Sequence, residues 1–386
     1  MIEAVPTHRR CVVVGAGLLG LSAAWALSRR GWDVLVIEAA GAPGHERSGS
    51  KGDARIFRLG YPERHYVDMA VRAGALWRDL EIATGRQLLH VTGQVTLGDE
   101  ATLRAIAEAL AAAGTPVEHV SAGAAARRFP GIAASGSVLV EPHSGVLAAG
   151  ECLRALRQSG AFELRTGCRV TQLRQSSDSV IVAIADSDDL GADIVVNCAG
   201  AAAPGLLDVA TATRGAPSLP QVAYFAPRDR DNVGPPIFIE WGDNMLYGLP
   251  VPGGPLVGTY KVSHHTPGSA LGAFDPTDPA PFAGDDPGLL SLLTDAVARL
   301  LPSLHPRPVA TERCIYDNSA DTDFVIDRVG SIVAGCGTSG HAFKFGPLLG
   351  ELLADLAEEA DPPVDLGRFA LHRDGPGAAG PPAVTW

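Results

Sequence analysis

A glycine-rich turn near the start of the chain is the first feature that points to chemistry. Gly15, Gly17 and Gly20 follow a short apolar run and open an apolar segment with helical spacing. Glycines at this spacing let the backbone approach a pyrophosphate, and the N-terminus of the next helix favours its negative charge. Glu38 ends the following apolar run about 20 residues further on, where a carboxylate can accept hydrogen bonds from ribose hydroxyls. These residues together predict a dinucleotide-binding βαβ unit.

The pattern after this unit bears on which dinucleotide is bound. A nicotinamide enzyme would normally continue with further βα units. This chain instead passes through a helix-poor cluster of strands, and it returns to strand-glycine turns only in residues 193–200 and 331–341. Distant segments that converge on one cofactor suit a tightly held flavin better than an exchanging nicotinamide, so FAD is the favoured interpretation.

Charged residues narrow the class of protein further. The 386 residues include 43 acidic and 31 basic residues, a formal charge of −12, which argues against a nucleic-acid partner. Only three of the basic residues are lysines, Lys51, Lys261 and Lys344. A chain that otherwise uses arginine is expected to need an ammonium group at those three positions.

The remaining composition excludes several classes. A hydrophobic content of 46% can fill a large core, and the length allows two or three domains. Six scattered cysteines argue against a disulfide scaffold and against a metal site. No segment other than residues 11–27, which we interpret as folded core, is apolar enough to suggest a membrane span. A reducing, cytoplasmic location is the default expectation.

Hydrophobic periodicity places these residues on helices and strands. Residues 11–14, 18–30 and 32–37 are predicted as strand, helix and strand. Further helices are predicted at 66–83, 101–113, 289–301 and 347–359. Strands are predicted at 91–97, 117–120, 138–140, 162–165, 169–173, 180–185, 193–197 and 332–335, with a hairpin turn at 175–179. The last dozen residues, 375–386, are rich in Gly, Pro and Ala and are expected to form a flexible tail.

Four segments taken together resemble a known family. They are residues 49–58, 258–261, 313–316 and 339–345, and they contain the sequences Cys-x-Tyr and Gly-His-x-Phe-Lys-Phe. They are similar to the monomeric sarcosine oxidase and N-methyltryptophan oxidase group of the D-amino-acid-oxidase superfamily, in the same order along the chain. The resemblance implies an α/β (α+β) fold, with a Rossmann-like FAD-binding domain interleaved with a mixed β-sheet substrate domain.

The resemblance also implies domain boundaries and cofactor contacts. The FAD-binding domain would use residues 1–85, 143–220 and 313–386, and the substrate-binding domain would use 86–142 and 221–312. Cys314 matches the cysteine that bonds covalently to the flavin 8α position, and the neighbouring Arg313 could favour its thiolate. A buried inert thiol is the alternative. The implied FAD contacts are Gly15, Gly17, Leu18, Gly20, Glu38, Ser50, Arg55, Val170, Gly200, Cys314, Gly337, Gly340, His341, Phe343 and Lys344.

Catalytic and substrate-binding roles follow from the same resemblance. Lys261 matches a lysine that activates oxygen, and Arg55 matches an arginine beside the flavin. Arg58 and Lys344 match a pair that holds the substrate carboxylate, as a guanidinium fork and an ammonium can. The expected cavity wall, which fits a structural core equally well, comprises His265, Tyr247, Tyr316, Phe238 and Trp241.

Three positions depart from the family pattern, namely Lys51 in place of a histidine, Ala54 in place of a threonine and Ala342 in place of a glycine. An extra ammonium at Lys51 near the flavin could change its potential or the substrate preference, so we count Lys51 with Lys261, Arg55 and His265 as candidate catalytic residues.

The implied reaction is oxidation of a C–N bond in a small secondary amino acid by oxygen, giving an imine and hydrogen peroxide. The expected partners are this substrate and O2, with no nucleic acid and no membrane, and the family favours a monomer. Three alternatives stay open. They are a cyclic imino-acid oxidase of a natural-product pathway, a flavin dehydrogenase that uses another acceptor, and a non-enzymatic flavin-binding subunit.

Overall fold

The computed structural model describes residues 9–177, 179–207, 215–229, 234–242, 245–265, 269–272, 274–275 and 277–373. Its α-helices are α1 Leu18–Arg29, α2 Arg64–Thr84, α3 Glu100–Ala112, α4 Ala122–Arg128, α5 Ala149–Ser159, α6 Ala203–Leu206, α7 Pro287–Leu300 and α8 Gly346–Glu358. Single 3₁₀ turns occupy Gly200–Ala202, Ala280–Phe282, Phe343–Phe345 and Gly367–Phe369. The predicted flexible tail at 375–386 lies outside the described residues.

The strands form two large sheets and several small ones. In chain order they are β1 Arg10–Val14, β2 Asp33–Glu38, β3 Ala54–Phe57, β4 Leu89–Val91, β5 Gln94–Leu97, β6 Glu118–Val120, β7 Val138–Glu141, β8 Gly145–Ala148, β9 Glu163–Thr166, β10 Val170–Gln175, β11 Val180–Ile184, β12 Leu190–Ala192, β13 Ile194–Asn197, β14 Ser218–Leu219, β15 Gln221–Pro227, β16 Ile237–Glu240, β17 Leu246–Pro250, β18 Tyr260–His264, β19 Ser269–Ala270, β20 Leu304–Arg313, β21 Val325–Val329 and β22 Ile332–Cys336.

The first large sheet has the order β21-β22-β13-β1-β2-β9 and is parallel except for the pair β21-β22. Helix α1 is buried along most of its length and packs against α8. This contact is close because Gly350 has no side chain, since a Cβ there would lie 2.4 Å from the Ser22 backbone. The N-terminal βαβ unit therefore forms as its periodicity predicts, with its glycine turn at the carboxyl edge of β1.

The second large sheet has the order β20-β15-β18-β17-β16-β5-β7-β6. All its neighbours are antiparallel except β5 and β16, so the sheet is mixed. Helix α7 covers part of one face, where Leu293 and Val297 join a second apolar core with Phe225 of β15. The long strand β20 ends one residue before Cys314, which places that cysteine where this sheet passes into the first.

The α/β class predicted from the sequence is confirmed, with local corrections. The single strand expected at 91–97 is wrong, because β4 pairs with β8 in a three-stranded sheet while β5 joins the eight-stranded sheet. Helix α5 lies in a stretch for which periodicity gave no element. Among the described residues, every helix is too short or too polar to traverse a lipid bilayer.

Candidate active site

One large cavity, of about 540 Å³, collects most of the residues singled out from the sequence. Its wall draws on both large sheets and on the small sheet that contains β3. At the end nearest the glycine turn it is lined by Gly15, Gly17, Leu18, Glu38, Ser50, Val170 and Gly200. Elsewhere it is lined by Arg55, Arg58, Tyr247, Lys261, His265, Cys314, Tyr316, Gly340, His341, Phe343 and Lys344.

The glycine-turn end has the features that a dinucleotide needs. Gly15 has φ +96°, a conformation that side chains rarely adopt. Helix α1 has no acidic residue in its first turn, and the Leu18 backbone N–H donates to Ser50 Oγ at 2.9 Å. The Glu38 carboxylate is buried and accepts hydrogen bonds from the backbone N–H groups of Ala16 (2.8 Å) and Ala40 (2.9 Å). A fixed carboxylate thus ends β2 beside a helix N-terminus that favours anions.

Two of the expected cofactor contacts lie off the cavity wall. A Cβ on Gly20 would lie 1.9 Å from the carbonyl oxygen of Gly15, so Gly20 allows helix α1 to pack against the turn. Gly337 has φ +62°, and a Cβ there would lie 2.9 Å from Val325. Both glycines shape the backbone around the cavity and do not line it.

Cys314 sits on the wall immediately after β20. It is buried, and its backbone N–H donates to the Pro220 carbonyl oxygen at 3.0 Å, which fixes its position. The guanidinium of the neighbouring Arg313 donates through Nη2 to the Leu219 carbonyl oxygen at 3.1 Å. The thiol of Cys314 therefore lies at the cavity surface on a fixed backbone.

Two cations, Arg58 and Lys344, lie together at the far end of the cavity. Lys344 Nζ donates to Tyr61 Oη (2.8 Å) and to the His341 carbonyl oxygen (2.7 Å). The Arg58 guanidinium carbon lies 4.2 Å from the centre of the Tyr61 ring.

Both cations are 5% exposed, and in the described part of the chain no carboxylate lies within 4 Å of either. Burial, with Arg58 nearby, holds the pKa of Lys344 well below its usual value. Buried cations without a carboxylate are costly, so this end is suited to an incoming anion.

A second cationic region surrounds Lys261 on β18. Its Nζ is 4.0 Å from Glu312 Oε1. Burial, and then the charge of Arg55, lower the pKa of Lys261 to about 8. Arg55 itself lies over the Phe343 ring at 5.4 Å and donates to the Gly49 carbonyl oxygen at 3.1 Å. Lys261 therefore presents an ammonium group, poised near neutral pH, at the cavity wall.

Lys51 lies beside the cavity but is not part of its lining. Its Nζ donates to the Arg313 carbonyl oxygen at 2.6 Å and lies 3.3 Å from Glu312 Oε2. Its side chain is 12% exposed, so these two contacts with β20 are only partly screened by solvent. Lys51 thus ties the loop before β3 to the strand that carries Cys314.

Three aromatic residues face one another on the wall between the two cationic regions. His265 Nδ1 is 3.3 Å from Tyr316 Oη, and the Tyr247 ring centre lies 6.0 Å from that of His265. Burial and the charges of Arg58 and Lys344 hold the pKa of His265 well below its usual value. The imidazole is therefore neutral at physiological pH, and it leaves this part of the wall uncharged.

The other two aromatic residues expected on this wall do not line it. Phe238 is fully buried in the second core, with its ring 6.5 Å from that of Tyr260. The reason is strand alternation: on β16 the neighbouring Ile239 faces the cavity, so Phe238 faces away. Trp241 lies beside Arg58, at 5.4 Å from the guanidinium carbon, but outside the cavity lining.

Several residues of the site were not identified from the sequence. Tyr61 bonds to Lys344, and Glu312 contacts two lysines. Buried Glu141 accepts hydrogen bonds from the Gly60 N–H (2.8 Å) and Gln94 Nε2 (2.7 Å), and so fixes the turn after Arg58. In the sequence, Tyr61 and Glu312 stand out only because they lie close to the motifs. Tyr61 comes three residues after Arg58, and Glu312 comes directly before Arg313 and Cys314.

A dinucleotide-binding βαβ unit that opens onto a large, cation-lined cavity defines a class of nucleotide-dependent oxidoreductases. The family model for FAD-dependent oxidoreductases matches residues 10–356. Human peroxisomal sarcosine oxidase is 31% identical, over 94% of this chain and 95% of its own. N-methyl-L-tryptophan oxidase of Yersinia pestis is 29% identical, over 94% and 98% respectively. The chain belongs to the FAD-dependent oxidoreductase family, as the resemblance predicts.

A solved structure supports the same assignment. The Tyr258Phe mutant of NikD, described as an unusual amino acid oxidase essential for nikkomycin biosynthesis, superposes with a TM-score of 0.79. It is 26% identical, and the match covers 94% of this chain and 97% of that one. The similarity extends across both large sheets and is not confined to the nucleotide-binding unit.

Proposed function

We propose that this protein is a flavin-dependent amine oxidase that oxidises the C–N bond of a small secondary amino acid with oxygen. The observation that carries the proposal is the buried pair of Arg58 and Lys344, which lack a carboxylate within 4 Å in the described residues and face the same cavity as Cys314 and Lys261. A substrate carboxylate can accept from both cations at once. The relatives named above, which oxidise sarcosine or N-methyltryptophan by name, support this substrate class.

The residues present fit FAD. Gly15 and the start of helix α1 can receive the pyrophosphate, and Glu38 can accept from the adenosine ribose. Cys314 is available for a covalent bond at the opposite part of the cavity. When bound, FAD supplies the redox chemistry by taking two electrons from the amine and passing them to oxygen.

The residues at the substrate end position the amine. Arg58 and Lys344 would orient the carboxylate, and Tyr247, Tyr316 and neutral His265 would enclose the remainder of the substrate. The cluster of positive charge disfavours a substrate ammonium group and so favours the unprotonated amine that gives up its C–H bond. The product imine then hydrolyses, or remains within a ring.

Lys261 would serve the oxygen reaction. A fixed ammonium stabilises the negative charge that oxygen acquires as it accepts electrons, with hydrogen peroxide as the product. Its low exposure, 3%, strengthens this effect because solvent does not screen the charge.

Covalent attachment through Cys314 gives a direct prediction. Cys314→Ser is expected to release flavin into the supernatant after acid precipitation, whereas the native protein retains it in the pellet. Cys198→Ser, which alters another cavity-lining thiol, is the matched control and should retain its flavin. Retention of flavin by Cys314→Ser would show that another residue forms the bond.

We further propose the domain assignment, oligomeric state and location. The six-stranded sheet would belong to the FAD domain and the eight-stranded sheet to the substrate domain, with the segment boundaries given above. The similarity to the monomeric sarcosine oxidase group supports a monomer. All six cysteines are unpaired, which supports a reducing, cytoplasmic location.

Peroxide formation across an amine panel tests the proposed function. The panel contains sarcosine, N-methyl aromatic amino acids, L-proline, L-pipecolate and dehydropiperidine carboxylates. We expect peroxide with at least one secondary amino acid. Activity confined to primary D-amino acids would overturn the substrate class, and electron transfer to artificial acceptors without oxygen uptake would identify a dehydrogenase.

A cyclic imino-acid oxidase is the second candidate. It is favoured by Ala342, which stands in place of the family glycine and is followed by Phe-Lys-Phe. The same panel separates the two candidates, since a cyclic imino-acid oxidase would act on the ring compounds and leave sarcosine unchanged. Mass spectrometry of the products gives the number of oxidations per substrate.

A further inference from the structure

All three lysines of the chain gather at this site, and two of them share one carboxylate. Lys261 and Lys344 line the cavity, and Lys51 is attached to β20 beside it. Glu312 Oε2 lies 3.3 Å from Lys51 Nζ, and Oε1 of the same residue lies 4.0 Å from Lys261 Nζ. The Glu312 side chain is 23% exposed, so solvent screens these contacts only in part.

Sheet register produces this arrangement. Tyr224 on β15 pairs with Lys261 on β18, and Val222, two residues earlier, pairs with Glu312 on β20. Alternate residues share a face of a sheet, so Tyr224, Lys261 and Glu312 project to the same side. Tyr224 Oη donates to Glu312 Oε1 at 2.5 Å, which fixes the oxygen that faces Lys261.

The charges around Lys261 oppose one another. Burial and the cations Arg55 and Lys51 lower its pKa, whereas Glu312 and a Cys314 thiolate raise it. Tyr224, whose ring centre lies 5.9 Å from Lys261 Nζ, stays protonated because burial and Glu312 raise its own pKa. If Cys314 carries the flavin, its sulfur has no charge, and Glu312 is then the anion that offsets the two cations.

We infer that Glu312 is a positioning residue whose two carboxylate oxygens face Lys51 and Lys261, and that its negative charge keeps the Lys261 ammonium charged at the cavity wall. The inference rests on the proposed function, because a charged Lys261 matters for the oxygen reaction. It also gives Lys51 a role: this lysine competes for Glu312 and moderates the effect of the carboxylate on Lys261.

Two substitutions are expected to shift Lys261 in opposite directions. Glu312→Gln removes the anion and should lower the midpoint of the Lys261 titration by about one pH unit or more. Lys51→Met removes a like charge and frees Glu312, so it should raise that midpoint. Loss of packing alone gives no reason for opposite signs.

Lysine-specific NMR measures this titration directly. Protein labelled with ¹³Cε-lysine gives three resonances, which Lys51→Met, Lys261→Met and Lys344→Met assign one by one. Glu240→Gln, which removes a carboxylate from a distant surface ion pair with Arg299, is the matched control and should leave the midpoint unchanged. Glu312→Asp should restore the midpoint most of the way to its native value.

An unchanged midpoint in Glu312→Gln, or shifts of one sign in both Glu312→Gln and Lys51→Met, would overturn the inference. If Glu312→Gln does not fold, Lys51→Met and Glu312→Asp decide, and a fall in the midpoint of Lys51→Met would be contradictory.

A parallel measurement separates this inference from the proposed function. Flavin in the native protein is reduced anaerobically by dithionite, without any amine substrate, and its reoxidation by oxygen is followed across pH. If this reoxidation is no faster than that of free reduced flavin, the oxidase function fails, whatever the NMR midpoint. If it is fast, and its alkaline decline follows the Lys261 midpoint in each variant, both proposals stand. If reoxidation is fast but its pH profile is the same in Glu312→Gln as in the native protein, only the positioning role of Glu312 is contradicted.

Discussion

Lys261 and the pair of Arg58 and Lys344 place positive charge on the wall of one cavity, but they are compensated differently. Lys261 has a carboxylate, Glu312, at 4.0 Å. Arg58 and Lys344 have aromatic rings and neutral oxygens around them, with no carboxylate within 4 Å in the described residues. A compensated cation keeps a steady charge for a small neutral molecule such as oxygen. A pair with no carboxylate in contact is further stabilised when an anion arrives, even though buried Glu141 acts on Arg58 at longer range, and so it favours substrates that carry one.

The largest expected effect tests the uncompensated pair. Arg58→Met should reduce kcat/KM for a carboxylate-bearing secondary amine by about 10³-fold, because only the buried Lys344 amine, whose pKa is held below its usual value, then remains to bind the substrate carboxylate. The comparison substrate is the corresponding amine without its carboxylate, for which the loss should be less than about tenfold. Equal losses for both compounds in steady-state assays would contradict the assigned role.

Lys261→Met tests the compensated region. Reoxidation of reduced flavin by oxygen should slow by about 10²-fold, as on removal of a single electrostatic donor. Reduction by substrate should change much less, since Lys261 does not contact Arg58 or Lys344. Stopped-flow measurement of the two half-reactions separates them, with Arg58→Met as the reciprocal control. A comparable slowing of both half-reactions would argue against two functionally distinct regions.

A pH dependence sharpens the comparison. The pKa of Lys261 is lowered to about 8, so its charge is present below pH 8 and is lost above it. Reoxidation should therefore fall up to about tenfold per pH unit above pH 8. The inhibition constant of a carboxylate inhibitor, which would bind at the Arg58 guanidinium, should change less. A reoxidation rate that is flat to pH 10 would be incompatible with an ammonium role for Lys261.

The smallest expected effect concerns a residue outside both regions. Phe238→Leu should lower the free energy of unfolding by about 1–2 kcal/mol, because it removes volume from the second core. KM should be unchanged, since Phe238 faces away from the cavity. The matched variant Ile239→Ala, on the cavity face of the same strand, should raise KM. A higher KM in Phe238→Leu would indicate that Phe238 lines the substrate end of the cavity.

Local patterns predicted part of this molecule well. The βαβ unit follows from apolar periodicity and glycine spacing, both of which are local properties, and the scarcity of lysine marked Lys51, Lys261 and Lys344 before any contact was known. The contacts of Lys51 could not be predicted, because its partners, Glu312 and the Arg313 carbonyl oxygen, come from a strand far along the chain.

Which residues of a strand face the cavity was harder to predict than where the strand lies. A shift of one residue exchanges the cavity face and the core face, and the sequence around Phe238 and Ile239 is apolar on both sides. Glu312 was missed for a related reason, since its proximity to Lys261 depends on how β15 pairs with both β18 and β20. Helix α5 was not predicted from the sequence because its first turn follows directly from β8.

Anaerobic reduction of the purified protein tests the central claim most directly. The account predicts that a carboxylate-bearing secondary amine bleaches the visible flavin band, that the same amine without its carboxylate does so far more slowly, and that Arg58→Met removes most of the difference. Equal bleaching by both amines in the native protein would contradict the account, because the cationic end of the cavity would then play no part in choosing the substrate.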